Sequence, residues 1–286
     1  MGALRAAVER ALAELGPGLY GVACSGGADS MALADLAIDI AGGSHVVVLT
    51  IDHGLSVGSE RVAADVAAWA RSRGAAGVIR RVDVERRAGS GIESAARDAR
   101  YAALDELAAE LGLTAVLVGH TARDQAETVL MRILRGTGPA GLAAMPTATL
   151  SHSSNDGDPS VPIVRPLLAI DRDAIDTYVA DRALPIWDDP MNVDHALARV
   201  RIRAAILPML RRENPMVDHA LLRLAASAAE WLAVIDGLAR PFARFPIDCA
   251  ALAQHLPAIR KRAVALALEH HGIGWDTTHL DRIDRL

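Results

Sequence analysis

Aromatic residues make up only 3% of this 286-residue chain, so its core must be packed from aliphatic side chains and alanine. Lysine is nearly absent: Lys261 is the one example, and the remaining cations are arginines. The two cysteines, Cys24 and Cys249, stand far apart with no CxxC spacing. That excludes a disulfide framework and a thiolate zinc or iron–sulfur site read from spacing, and it suits a reducing compartment. No apolar run is long enough to span a bilayer. The first fifteen residues read as an amphipathic helix carrying Arg and Glu rather than a signal peptide, and Gly2 is not followed by Ser or Thr at position 6. A soluble protein of the cytoplasm is expected. A net charge of −5 argues against a protein basic throughout, although unevenly placed arginines leave nucleic acid open as a partner.

What is present is an alternation of apolar runs and helical patterns. Strands are expected at Tyr20–Cys24, His45–Ile51, Gly77–Val84 and Thr114–Gly119, with helices at Met31–Ala41, Glu60–Arg73, Glu93–Leu111 and Asp124–Arg135. Such alternation predicts a doubly wound parallel sheet covered by helices on both faces, an α/β fold. Gly136–Gly141 spells GxGxxG but follows a helix, so it reads as a helix stop rather than a dinucleotide site. A short strand over Val161–Pro166 and a helix over Asp171–Ala183 follow the polar stretch Ser151–Ser160. Near Glu213–Pro215 the composition shifts, and from Val217 the pattern is helical only. We therefore expect a catalytic domain over residues 1–213 and a smaller helical domain over 214–286. The final helical pattern is short, so a C-terminal portion is expected to be missing or brief.

The most informative segment is Ser25-Gly26-Gly27-Ala28-Asp29-Ser30, which joins an apolar strand to a helix. Glycines let backbone approach a ligand closely, and the amides opening the helix suit a phosphate. Asp29 adds a carboxylate that would suit Mg²⁺. A Walker loop is excluded, because no lysine follows the second glycine. Asp52 and His53 leave the second strand where open α/β sheets place ligands, and they are candidates for the adenine or ribose of a nucleotide. Arg97 and Arg100 are three apart on the fourth helix, beside Tyr101. Asp124 and Glu127, three apart, open the next helix directly after a strand. Their bland explanation is a favourable macrodipole interaction; their place at a strand's carboxyl end also suits metal or substrate.

The hexapeptide resembles the SGGxDS loop of the N-type ATP pyrophosphatases, which cleave ATP to AMP and pyrophosphate. Read in order, the chain is more narrowly similar to the tRNA(Ile)-lysidine synthetases. The matching segments are SGGADS, IDHGL, ESAARDARY and GHTARDQAETVLMRILRG, then Val164–Leu168, Pro185–Asn192 and Arg199–Arg203. Ser56, Arg123, Met191 and Val200 depart from the residues usual in that family. Those departures put fine positioning of substrate in doubt more than the reaction class.

The resemblance implies an ATP-dependent ligase. ATP would adenylate the C2 oxygen of the wobble cytidine of a CAU-anticodon isoleucine tRNA, and free lysine would then displace AMP to leave lysidine. It implies that Ser25–Ser30 cradle the pyrophosphate and that Asp29 and Asp124 hold Mg²⁺. Arg97 would stabilise charge at the adenylated intermediate, and Glu127 would bind or deprotonate the lysine amine. The arginine-rich segment carrying Arg199, Arg201, Arg203, Arg211 and Arg212 is the candidate for tRNA phosphates. A degenerate nucleotide- or tRNA-binding module, or another ligase built on this loop, stays open as an alternative, as does a homodimer.

Overall fold

The computed structural model describes residues 2–54, 56–84, 92–150, 161–187 and 194–285, with the backbone alone for 92–94. The motif residues Asp188–Asn192 lie outside them.

Helix α1 (Gly2–Leu15) precedes strand β1 (Tyr20–Ala23), and the chain then alternates through α2 (Ala28–Ala41), β2 (Val46–Asp52), α3 (Ser59–Ser72) and β3 (Ala76–Arg81). It continues with α4 (Ile92–Glu110), β4 (Ala115–Val118) and α5 (Ala122–Leu134). The short α6 (Pro139–Leu142) leads to β5 (Ala148–Leu150), β6 (Pro162–Val164) and α7 (Arg172–Asp181). The strands form one sheet in the order β3-β2-β1-β4-β6-β5. All pairings are parallel except β5 with β6, an antiparallel edge that the sequence pattern had not shown. β1 lies between β2 and β4, so the direction of winding reverses there and the carboxyl ends of β1 and β4 open a crevice.

Strand residues alternate between two hydrophobic layers, as a period of two requires. Val22, Val46, Val48 and Leu117 face a layer holding Leu4 and Val8 of α1, Met31, Leu33 and Leu36 of α2, and Ile175 of α7. Val47, Leu49, Val116 and Val118 face Leu104 and Leu107 of α4. This is the expected sheet with helices on both faces.

The described chain divides into two compact units, Met1–Glu127 with Met145–His219, and Thr128–Ala144 with Ala220–Leu286. The division therefore falls at His219 rather than at 213, and Thr128–Ala144 clusters with the helical unit, contrary to a simple cut by sequence. Contact, not chain order, decides membership.

In the first unit, α8 (Ala198–Arg201), a π-helical stretch (Ile202–Ile206) and α9 (Leu207–Glu213) follow one another without a break. α10 (Val217–Ala239) leads into the second unit. There α11 (Cys249–Leu252), α12 (Pro257–His270) and α13 (Thr277–Ile283) enclose a small core of Ala239, Leu252, Ala263, Val264, Ala265 and Leu280. Among the described residues no helix is long and apolar enough to cross a membrane.

Candidate active site

The loop after β1 is held open by its own residues. Ser30 Oγ donates to the Gly27 carbonyl at 2.9 Å and accepts from the Ser25 amide at 3.2 Å. Gly26 has φ +86°, and a Cβ there would sit 3.0 Å from Val62 Cγ1 and 3.1 Å from Trp187 Cε3. Its conformation and its neighbours both demand glycine. Gly27 precedes α2 in extended geometry. The amides of Ala28, Asp29 and Ser30 open a fourteen-residue helix, with the positive end of its dipole directed at the crevice.

Across the crevice, β4 exits through Gly119. A Cβ on that glycine would lie 3.1 Å from the Asp29 carbonyl and from Ser30 Cα, so the absence of a side chain lets the second loop approach the first. Thr121 precedes α5, and its amide and hydroxyl donate to Asp124 Oδ2 at 2.8 and 3.0 Å. Asp124 is thus partly a capping carboxylate. Gln125 exchanges two hydrogen bonds with the Met145 backbone, fixing the start of α5 against the approach to β5.

The remaining groups come from the helix of α8. Arg199 donates to Asp124 Oδ1 at 2.7 Å and to Glu127 Oε2 at 2.6 Å. Arg203, one turn on, donates to both oxygens of Glu127 at 2.6 and 3.0 Å. Glu127 is fully buried and spanned by two guanidinium groups. Glu127, expected to bind or deprotonate the lysine amine, is in this structure the anchor of Arg199 and Arg203.

The same contacts revise the arginine-rich segment. Arg199 and Arg203 turn inward to carboxylates, and Arg211 pairs with Asp218 at 2.8 Å. Arg201 donates to the carbonyls of His195 and Ala196 but is exposed, as is Arg212. Val200 is buried, so an apolar residue fits that departure from the family pattern.

Charge distribution separates the two aspartates. Burial raises the Asp124 carboxyl, but Arg199, His120 and the Thr121 hydrogen bonds outweigh it and hold the group below its ordinary value. Asp29 is raised to about 6, by burial first and by the nearby Asp124 charge, despite Arg172 and Arg123 pulling the other way. Arg123 is one of the departures from the pattern that the sequence resembles. Arg172, at the start of α7, donates to Asp29 Oδ1 at 2.9 Å.

Two further residues, His120 and Arg165, were not singled out by sequence reasoning. His120 is driven down to about 3 by burial, with Arg100, Arg165 and Arg199 reinforcing it, so the ring is neutral at ordinary pH. Its buried Nδ1 has no hydrogen-bond partner. Arg165 is buried and donates to the Pro146 carbonyl and Thr149 hydroxyl. Burial also lowers Arg100, whose charged neighbours include Arg199 and Asp124. Both arginines lie over the Tyr101 ring, at 4.9 Å for Arg97 and 5.5 Å for Arg100, and Arg97 also donates to its hydroxyl at 3.4 Å.

At the end of β2, Asp52 is buried, accepts from the Gly54 amide at 3.0 Å and faces Arg81 at 3.9 Å. It lines a cleft of about 520 Å³ with Ser56, Ser59, Glu60, Arg61 and Arg81. His53 follows it at the sheet's carboxyl edge but does not line that cleft.

Comparison with known proteins agrees with the fold and gives the family. A family model described as a PP-loop domain matches residues 4–210. The tRNA(Ile)-lysidine synthase of Salinispora tropica is 44% identical to the chain, over 92% of this chain and 80% of that protein. The tRNA(Ile)-lysidine synthase of Thermobifida fusca is 39% identical, over 99% of this chain and 88% of that protein. Among solved structures, the U34-tRNA thiolase NcsA from Methanococcus maripaludis, described with its 4Fe–4S cluster, aligns with a TM-score of 0.62. It is 17% identical and the match covers 79% of this chain and 78% of that one, a likeness of fold.

Proposed function

The chain belongs to the tRNA(Ile)-lysidine synthase family, and we propose that it joins free lysine to the wobble cytidine of a CAU-anticodon isoleucine tRNA at the expense of ATP. One observation carries the reading. The phosphate-binding loop after β1 and the Asp124 end of α5 meet across the sheet's switch point, brought together by the close approach at Gly119.

The residues divide the work by charge. Loop amides from Ala28 to Ser30 receive the phosphates of ATP. Arg100 and Arg199 supply positive charge where the pyrophosphate leaves and where AMP is later expelled, in a partly buried site that strengthens the interaction. Asp124 fixes Arg199 from one side while Glu127 fixes Arg199 and Arg203 from the other. His120, neutral and with an unsatisfied nitrogen, offers a hydrogen-bonding group that does not repel a cationic amine. The exposed Arg201 and Arg212 are available to tRNA phosphates, an attraction that weakens steeply with salt.

The donor set fits a magnesium ion supplied with the nucleotide. Among the described residues no three His, Cys, Asp or Glu side chains cluster as a metal site. Mg²⁺ characteristically takes one or two carboxylates and fills its remaining positions with phosphate and water. Asp29 is the better of the two candidates, since its ionised form is undercompensated whereas both oxygens of Asp124 are engaged. When bound there, the ion would offset charge on the leaving pyrophosphate.

Incubation with labelled lysine, ATP, Mg²⁺ and CAU-anticodon isoleucine tRNA tests the proposal. Label is expected in that tRNA and not in a methionine tRNA with the same anticodon. Pyrophosphate release without label would show another acceptor on the same scaffold, and would overturn the lysine assignment.

A further inference from the structure

We propose that Arg172 is an exchangeable counter-ion, holding Asp29 before nucleotide arrives and transferring to the ATP phosphates when a divalent cation takes its place. The inference rests on the reading of Ser25–Ser30 as an ATP-binding loop.

The position of Arg172 is unusual for a structural ion pair. It lies in the first turn of α7, which follows β6 rather than β1, so it reaches the phosphate loop from a different part of the chain. Its guanidinium makes two contacts, Nη1 to Asp29 Oδ1 at 2.9 Å and Nε to Asp176 Oδ1 at 2.8 Å. The Asp176 contact is one turn along α7 and half-exposed, so it is a tether that needs no rearrangement of the fold. Among the described residues Asp29 has one guanidinium in direct contact; Arg123 also acts on it without an ion-pair contact, while Asp124 and Asp176 are of like sign. A single monovalent partner at one oxygen leaves the half-buried carboxylate undercompensated.

Arriving ATP changes the balance. The triphosphate brings several negative charges to the amides beside Asp29, and a divalent cation competes with Arg172 for the same carboxylate. The guanidinium and the divalent ion repel each other at one oxygen, while phosphate oxygens offer the planar fork a better match. The exchange therefore conserves charge pairing: Asp29 passes from guanidinium to metal, and the guanidinium passes from carboxylate to phosphate. It also keeps a half-buried carboxylate from standing unpaired in the absence of nucleotide.

This arrangement makes opposite predictions for metal alone and for nucleotide, which a purely structural arginine would not. In the full chain, Arg172→Gln should bind Mn²⁺ without nucleotide about tenfold more tightly than the unaltered protein, read by loss of the free-ion electron paramagnetic resonance signal. The same variant should bind MgATP about tenfold more weakly, read by calorimetry with a non-hydrolysable analogue. Arg172→Lys, which keeps the charge but lacks the fork, should fall between them in both measurements and serves if the glutamine variant does not fold. Unchanged or weaker Mn²⁺ binding in a folded variant, or unchanged MgATP affinity, would overturn the exchange. If the unaltered protein binds MgATP but places no lysine in tRNA, the proposed activity fails while the exchange stands. If it binds no MgATP, both fall.

Discussion

Helices α2 and α7 meet through two sets of ionic contacts, and the two are built to opposite ends. Toward the helix interiors, Asp35 is almost wholly buried and faces two guanidinium groups and a hydroxyl. Its Oδ2 accepts from the Tyr178 hydroxyl at 2.8 Å and from Arg182 Nε at 2.9 Å, while Oδ1 faces Arg73 Nη2 at 3.0 Å. Asp39 pairs with the same two arginines. At the amino-terminal end of α2, Asp29 has Arg172 as its one direct ion-pair partner among the described residues, with Arg123 farther off, and stays raised to about 6. One network closes its carboxylate; the other leaves it short of positive charge at the mouth of a crevice. The same pair of helices thus carries a rivet and a receptor, and the difference lies in how many cations surround each carboxylate.

If that contrast is right, the two aspartates should separate stability from activity. Asp35→Ala leaves Arg73, Arg182 and Tyr178 without their shared acceptor and should cost about 3–5 kcal/mol of unfolding free energy, measured by denaturant titration. The protein that remains folded should still form lysidine. Asp29→Asn should do the reverse, lowering the rate of lysidine formation roughly a hundredfold in single-turnover assays with no loss of stability. A comparable stability loss at both positions would erase the distinction.

Acid titration sharpens it further. An aspartate's ordinary value is 3.8 and Asp29 titrates near 6 when folded, so the folded chain holds this proton more tightly than the unfolded one. At low pH both states are protonated and the residue imposes no penalty. As pH rises from about 4 to 6 the unfolded chain gains charge first, and stability falls by something on the order of 1–2 kcal/mol after allowing for solvent screening of a partly exposed group. This portion of the pH dependence should be missing from Asp29→Asn. Because metal needs the ionised carboxylate, Mn²⁺ binding should likewise weaken below about pH 6. The smallest effect is expected from Tyr178→Phe, which removes one of the contacts to Asp35 and should cost about 1–2 kcal/mol without altering turnover.

Local chemistry was the readable part of the site. Ser25–Ser30 could be identified because a tight turn, a close backbone approach and a helix opening all fall within a few residues. Asp124 and Glu127 were visible because they stand three apart on one helix, and both do contact Arg199. Their roles were less visible. Asp124 doubles as a cap for α5, and Glu127 serves arginines from a helix that begins at Ala198. The arginine-rich segment looked like an outward nucleic-acid surface, since a sequence displays charge without its partner. Arg199 and Arg203 are four apart and share a helical face, a spacing that could have suggested a common target. Nothing local marked Arg172 at all.

By itself, the sequence determined the α/β class, the glycine-rich loop after the first strand and the family. These depend on periodicity and on backbone demands confined to short stretches. Only the tertiary structure decided which charges meet. Whether a carboxylate is a metal ligand, a cap or an anchor depends on the cations that packing brings to it. For Asp29 the decisive one comes from the start of α7, set beside the phosphate loop by the packing of α7 against α2.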